Sequence, residues 1–164
     1  MRKLALLLLF FFFLCGCEDL AQSKPETKNL SFTAVTVFEN TKYVLSANTD
    51  ENSNLHLTVN NPDSIANLKT FFADEKVKID YLNLEKEVSL NSLESTSVLR
   101  ILYEGILKAS KTEKLSVEDD KYFIDFSLGD KNYFFYFGQS GLPLEIKSND
   151  NKVQIFIKGV SISN

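Results

Sequence analysis

The sequence predicts an α+β fold in which an antiparallel sheet carries one main helix on its apolar face. Three observations lead to this prediction. Apolar and polar residues alternate with period two through most of the chain after residue 30, and only one long segment has helical periodicity. Clusters of Asn, Asp, Gly and Pro separate the alternating runs, so successive strands are expected to be antiparallel neighbours.

The first 16 residues are typical of a bacterial lipoprotein signal peptide. A basic start, Arg2-Lys3, precedes an apolar run over residues 4–14, and Leu14-Cys15-Gly16-Cys17 places a small residue before a cysteine. A lipoprotein signal peptidase would cut between Gly16 and Cys17. The mature chain is then expected to begin at Cys17, which carries the lipid.

Two other interpretations of this segment remain open. An uncleaved membrane anchor needs about 20 apolar residues, whereas this run ends at Gly16 and is followed by Glu18-Asp19. A plain secretory peptide would leave Cys17 as an unpaired thiol in an oxidising compartment, which is an unusual choice. Whether the segment is a lipoprotein signal or a plain secretory peptide, the domain is expected outside the cytoplasm.

Length and charge limit the classes of function. Removal of the 16-residue signal from the 164 residues leaves 148, enough for one domain with a real core. Without Arg2 and Lys3, 16 of the 18 basic residues oppose 22 acidic ones, a formal charge near −6 that argues against nucleic acid as a partner. Both cysteines lie at or before position 17, so neither a disulfide nor a thiolate metal site is expected, and membrane attachment depends on the lipid.

The elements follow in order along the chain. Residues 17–29 are predicted to be a lipidated N-terminus and flexible tether, since they contain almost nothing apolar, and residues 30–164 are predicted to be a single domain. Strands are expected over residues 31–39, 42–48, 54–60, 76–81, 121–128, 132–137, 144–148 and 153–162. Residues 68–74 fit a short helix or a strand. Residues 82–90 either continue the strand before them or form the next one.

The main helix is predicted over residues 95–111. Val98, Leu102, Ile106 and Ala109 repeat there at helical spacing, which gives the segment one apolar face. Either Ser95 or Ser97 is a suitable N-terminal cap. A helix of this kind among strands is expected to pack on the apolar face of the sheet.

The final hairpin carries a family resemblance. Gly141-Leu142-Pro143-Leu144-Glu145-Ile146, followed by Asn149-Asp150-Asn151 and then residues 153–162, resembles the last hairpin of LolA-like proteins, which include lipoprotein carriers and acyl-binding lipoproteins. The resemblance implies an incomplete antiparallel half-barrel wrapped over helices, and it implies binding of lipid. The chain departs from the soluble carriers because it has no recognisable N-terminal helix. It is also similar to lipoproteins that Gram-positive spore formers use as partners of cell-wall enzymes.

Polar residues give little indication of catalysis or metal binding. His56, the only histidine, falls on the polar face of its strand between Asn54 and Thr58, and no nucleophile motif accompanies it. Glu118-Asp119-Asp120 lacks the alternating spacing of a calcium loop and is predicted to be a solvated turn. We therefore expect no catalytic residue, no metal and no cofactor, and the chain is not expected to be an enzyme.

Aromatic residues give the strongest indication of a binding surface. Tyr133-Phe134-Phe135-Tyr136-Phe137 is apolar on both faces of one strand, so something is expected to cover its second face. Three alternatives remain open: ordinary core, a wall of a hydrophobic ligand site, and a surface for a partner protein. The candidate ligand or partner surface consists of Phe123, Tyr133, Phe135, Phe137 and Phe156.

These observations favour a lipoprotein on the outer face of the bacterial cell membrane that acts as a docking module. Every clear signal concerns placement or binding, and none concerns a reaction. The expected partners are the membrane, through the lipid on Cys17, and an envelope or cell-wall protein. A binder of lipid or another hydrophobic ligand is the alternative, and an exported cell-envelope hydrolase is the third option.

Overall fold

The computed structural model describes residues 24–163, which fold into eleven strands of one antiparallel sheet and one α-helix. The predicted signal peptide, Cys17 and residues 18–23 lie outside the described residues. The elements are β1 (Leu30–Phe38), β2 (Thr41–Thr49), β3 (Leu55–Asn61), β4 (Lys69–Ala73), β5 (Lys76–Tyr81), β6 (Leu84–Ser89), α1 (Val98–Ser110), β7 (Ser116–Glu118), β8 (Lys121–Leu128), β9 (Lys131–Phe137), β10 (Pro143–Ser148) and β11 (Gln154–Ile162).

The sheet consists of two meanders joined by one long-range pairing. Strands β1 to β6 run in sequence order away from the centre on one side, and β11 back to β7 do so on the other. The two meanders meet where β1 pairs with β11. The predicted antiparallel sheet with one main helix is confirmed. The sheet is open, with β6 and β7 at its edges, and an open strand order does not by itself define the half-barrel that the resemblance implies.

Period-two alternation places the core on one face of the sheet. Leu55, Leu57 and Val59 are almost completely buried, while His56 between them is exposed. Ile124, Phe126 and Leu128 of β8 alternate in the same way. We call the face that carries these buried residues the inner face, and the opposite one the outer face.

The two segments that the sequence left open are both strands. Phe72 of β4 is fully buried and stacks on Tyr103 of the helix, with ring centroids 5.0 Å apart. Leu82 and Asn83 have positive φ angles of 51° and 64°, which is the conformation of a tight hairpin turn. The chain therefore reverses after β5, and β6 pairs back against it.

Helix α1 begins three residues later than predicted and covers the inner face of both meanders. Its apolar stripe includes Ile101, Leu102 and Ile106, all fully buried. Gly105 lies so close to the second meander that a Cβ atom there would be 3.0 Å from Cδ1 of Ile146. Within residues 24–163, no helix has the length and apolar character needed to cross a membrane.

The second half of the predicted tether packs against the sheet. The Glu26 amide donates a hydrogen bond of 2.9 Å to the carbonyl of Gly141. The hydroxyl groups of Thr27 and Ser53 are 3.0 Å apart, and both residues are buried. The prediction of a flexible tether therefore does not hold for residues 24–29. Their polar composition gave no indication that their backbone and hydroxyl groups form hydrogen bonds with two turns of the sheet.

Two buried tyrosines allow a matched test of this core. The Tyr103 hydroxyl donates a hydrogen bond of 2.7 Å to the carbonyl of Asp74, whereas the buried Tyr133 hydroxyl has no partner among the described residues. We expect Tyr103→Phe to lower the free energy of unfolding by about 1 kcal/mol, and Tyr133→Phe to leave it unchanged or raise it. Urea unfolding of both variants measures the difference. Equal losses would contradict the assignment of these two hydroxyl groups.

Candidate functional site

The five aromatic residues predicted as one surface lie on two faces of the sheet. Tyr133, Phe135 and Phe137 point to the inner face and are 0%, 0% and 3% exposed. Phe123 and Phe156 belong to the outer face, where Phe123 is half-buried and Phe156 is 44% exposed. The three residues of β9 are therefore core, and the prediction that all five form one ligand or partner surface is wrong. Alternation along β8, β9 and β11 separates them, because successive side chains of a strand point to opposite faces of the sheet.

The outer face carries two aromatic residues that the sequence prediction left out of its surface. Phe134 and Tyr136 are the outward residues of β9, and both rings lie near Phe123, with centroids 5.8 Å and 6.0 Å away. Cross-strand pairing sets Tyr136 opposite Phe123 on β8 and opposite Glu145 on β10, which in turn pairs with Phe156 on β11. We call Phe123, Phe134, Tyr136 and Phe156 the outer aromatic face.

A groove of about 470 Å³ runs beside this face at the end of the sheet where β8 begins and β9 ends. We call it the outer groove. A hollow of about 140 Å³ continues it past Phe123 and Phe134, and another of about 380 Å³ continues it past Phe156 to β1. The outer groove is lined by Asp120, Lys121, Tyr122, Tyr136, Phe137, Gly138, Gln139, Leu144, Glu145 and Phe156.

Carboxylates predominate around Tyr136. The outer groove and the hollow on its Phe123 side together are lined by four acidic residues and one basic residue, namely Glu118, Asp119, Asp120, Glu145 and Lys121. Burial raises the pKa of the Tyr136 phenol above its usual value, and the charges of Glu145 and Glu118 raise it further. The side-chain amide of Gln154 donates a hydrogen bond of 2.9 Å to Glu145 and so fixes one of these carboxylates.

A second, smaller cavity lies on the inner face, where α1 begins beside β1, β2 and β3. Its volume is about 230 Å³, which is below the 300–1,000 Å³ common for ligand pockets. We call it the inner cavity. Its lining is largely apolar and consists of Phe38, Tyr43, Leu45, Val59, Ile65, Leu68, Ser97, Val98 and Leu99.

His56 and the acidic turn Glu118-Asp119-Asp120 lie in surface positions. His56 is exposed on its strand and contacts the ring of Phe71, with centroids 4.4 Å apart. Asp119 and Asp120 form the turn between β7 and β8, with positive φ angles of 48° and 60°. Across the part of the chain that the structure describes, no three His, Cys, Asp or Glu side chains are grouped to hold a metal ion.

No protein-family model matches the chain, and no curated protein matches it. Among solved structures, it is similar to an uncharacterized conserved protein from Thermus thermophilus, with a TM-score of 0.54, 8% identity, and coverage of 84% of this chain and 80% of that one. A LolA superfamily protein from Nitrosomonas europaea superposes with a TM-score of 0.46 and 9% identity over 89% of this chain and 91% of that one. The first likeness shows a shared fold alone. The second superposition is too loose to support an argument.

The division of the aromatic residues between two faces can be tested by introducing one aspartate on each face. We expect Phe156→Asp to leave the chain folded, because the ring is 44% exposed, and Phe135→Asp to unfold it, because that ring is fully buried. Circular dichroism and thermal melting of the two purified variants measure the difference. A folded Phe135→Asp variant would show that β9 presents its other face to the core.

Proposed function

We propose that this chain is a non-enzymatic docking module of the bacterial cell envelope, anchored by a lipid on Cys17. It binds its partner with the outer aromatic face. The observation that supports docking is the presence of four aromatic residues on the face of the sheet opposite α1, beside a groove of about 470 Å³. Aromatic side chains at the centre and charged ones at the rim are characteristic of protein interfaces.

The outer aromatic face is uncovered because the inner face uses the whole apolar stripe of α1. Phe123, Phe134 and Tyr136 shield one another, which leaves them half-buried, and Phe156 keeps 44% of its surface exposed. Leu144, on the rim of the outer groove, is 51% exposed. Burial of such surface stabilises a complex by roughly 25 cal/mol per Å² before the costs of association are subtracted.

Lys24 packs beside one end of the outer groove, which supports a position of the groove close to the membrane. Residues 24–26 pack against Gly141, leaving no room for a Cβ atom there, and Gly141 belongs to the same turn as the groove residues Gly138 and Gln139. Seven residue steps separate Lys24 from Cys17. A fully extended chain spans at most about 25 Å over that length. With the lipid on Cys17, Lys24 would be held within about 25 Å of the bilayer surface, and the turn at Gly141, at one end of the outer groove, would lie next to it.

The anchor is tested with Cys17→Ala in the native host. Because the lipoprotein signal peptidase requires a lipidated cysteine, we expect the variant to remain as an unprocessed precursor without lipid. Mass spectrometry of the membrane fraction measures both the cleavage site and the acyl mass. Normal cleavage after Gly16 in the variant would defeat the lipoprotein interpretation, whatever the result for docking.

Docking is tested by a photo-crosslinking phenylalanine analogue placed at position 156 of the full-length chain in cells. We expect a discrete adduct with one envelope partner. The control places the same analogue at Leu84, which is 76% exposed but lies in the edge strand β6, at the opposite side of the sheet. Equal adduct patterns at the two positions would show that exposure alone, rather than the outer aromatic face, determines crosslinking.

A second candidate function is binding of a hydrophobic ligand, which the apolar inner cavity favours. Its volume of about 230 Å³ suits part of an acyl chain, and the resemblance of the final hairpin to LolA-like proteins agrees with that chemistry. Native mass spectrometry would then show an acyl mass that is lost on denaturation. That mass, together with no adduct at position 156, would replace docking by ligand binding as the function of the chain.

A further inference from the structure

We infer that the partner segment bound by the outer groove is a basic polypeptide segment that also carries apolar side chains. The inference rests on the proposed docking function and names the chemistry of its partner. It follows from the combination of rings and carboxylates around Tyr136, and neither feature alone would be enough.

The charge of the groove favours a cation. Within the outer groove and its hollow beside Phe123, four carboxylates accompany the single ammonium group of Lys121. The mature chain also carries a formal charge near −6, so its overall field has the same sign as the groove. Complementary charge accelerates encounter with a basic partner and disfavours an acidic one.

The rings give the same preference at shorter range. A guanidinium or ammonium group within about 6 Å of the centroid of an aromatic ring is attracted to the ring face. Cross-strand pairing sets Glu145 between Tyr136 and Phe156, so a cation over either ring also lies near a carboxylate. The hydrogen bond from Gln154 holds that carboxylate in place. Arginine or lysine next to an apolar side chain therefore satisfies both features of the site.

The dimensions of the face indicate a short segment. The outer aromatic face spans four neighbouring strands, β8 to β11, whose spacing of about 4.8 Å gives a width of roughly 14 Å. At about 3.3 Å per residue, an extended segment of roughly four residues covers that width. Beyond it, the hollow between Phe156 and β1 gives room for a further side chain, and its one charged lining residue, Lys152, pairs with Asp150 at 3.8 Å.

A lipid surface is the alternative occupant of a face so close to the proposed anchor. The carboxylates oppose it, because the headgroups of anionic lipids would be repelled by Asp119, Asp120 and Glu145. Burial of these groups against hydrocarbon would cost still more. The mixed aromatic and acidic character of the outer groove thus favours a basic polypeptide over the bilayer.

The test uses the mature chain, residues 17–164, with Cys17→Ser so that it stays unacylated, and three capped hexapeptides as probes. One alternates lysine with leucine, one alternates glutamate with leucine, and one alternates lysine with glycine. We expect only the lysine–leucine peptide to shift the backbone amide resonances of Phe123, Tyr136 and Phe156, with binding that weakens as salt is added. The lysine–glycine peptide lacks the apolar contacts and should bind at least tenfold more weakly.

Variants that remove single carboxylates test whether the outer groove is where the lysine–leucine peptide binds. Glu145→Gln and Asp120→Asn should each weaken binding of the lysine–leucine peptide by roughly two- to fivefold. The matched control is Glu85→Gln, on the far edge strand β6, where the carboxylate forms an exposed ion pair with Lys78 of β5; it should leave the affinity unchanged. An equal loss in the control would show that only net charge matters and would overturn the assignment to the groove.

Other outcomes separate the inference from the proposed function. Equal affinity for the lysine and glutamate peptides, or shifts confined to the inner cavity, would overturn the basic partner. So would binding to vesicles of anionic phospholipid in place of the peptide. If the crosslink at position 156 nevertheless captures a partner, docking stands with a different chemistry. If no crosslink forms, the docking function itself fails.

Discussion

The pairing of β1 with β11 is the constraint on which the rest of the structure depends. Among the described residues it is the one strand pairing that joins the two meanders, and its strands lie far apart in the chain. The Thr36 hydroxyl donates a hydrogen bond of 2.6 Å to the carbonyl of Gln154, 118 residues away. Helix α1 then covers both halves, stacking Tyr103 on Phe72 in the first and setting Gly105 against Ile146 in the second. The same pairing, together with those of β11 with β10 and of β10 with β9, also aligns the outer row of Val35, Phe156, Glu145 and Tyr136.

Much of the local structure was predictable from the sequence, because it depends on neighbours in the chain. Alternation over residues 55–59 and 121–128 gave strands with the correct inner residues, and the apolar repeat from Val98 to Ala109 gave the helix. The packed segment 24–29 was not predictable from composition. Its stability comes from partners such as Gly141 and Ser53, which only the folded chain brings near. Long-range pairing of this kind leaves no periodic signal in either segment.

The candidate site shows the same division between local and long-range information. The sequence identified β9 as unusual because it is aromatic on both faces, and alternation alone would have separated Tyr133, Phe135 and Phe137 from Phe134 and Tyr136. What alternation could not supply is the strand order and register that set Phe123 beside Tyr136 and place Glu145 between Tyr136 and Phe156. The acidic turn at Asp119-Asp120, which in isolation is an ordinary solvated turn, gains its relevance from lying beside those rings.

The architecture explains why an aromatic face of this kind remains uncovered. One amphipathic helix has one apolar stripe, whereas a sheet has two faces, so α1 can bury only one of them. The rings on the outer face reduce their exposure by packing on one another, with Phe123 touching both Phe134 and Tyr136. Phe156 lies two strands from Tyr136, beyond the polar side chain of Glu145, and keeps 44% of its surface exposed. A polar residue between two rings limits how far they can shield each other, and it also gives a cationic partner a contact that a purely apolar one could not satisfy.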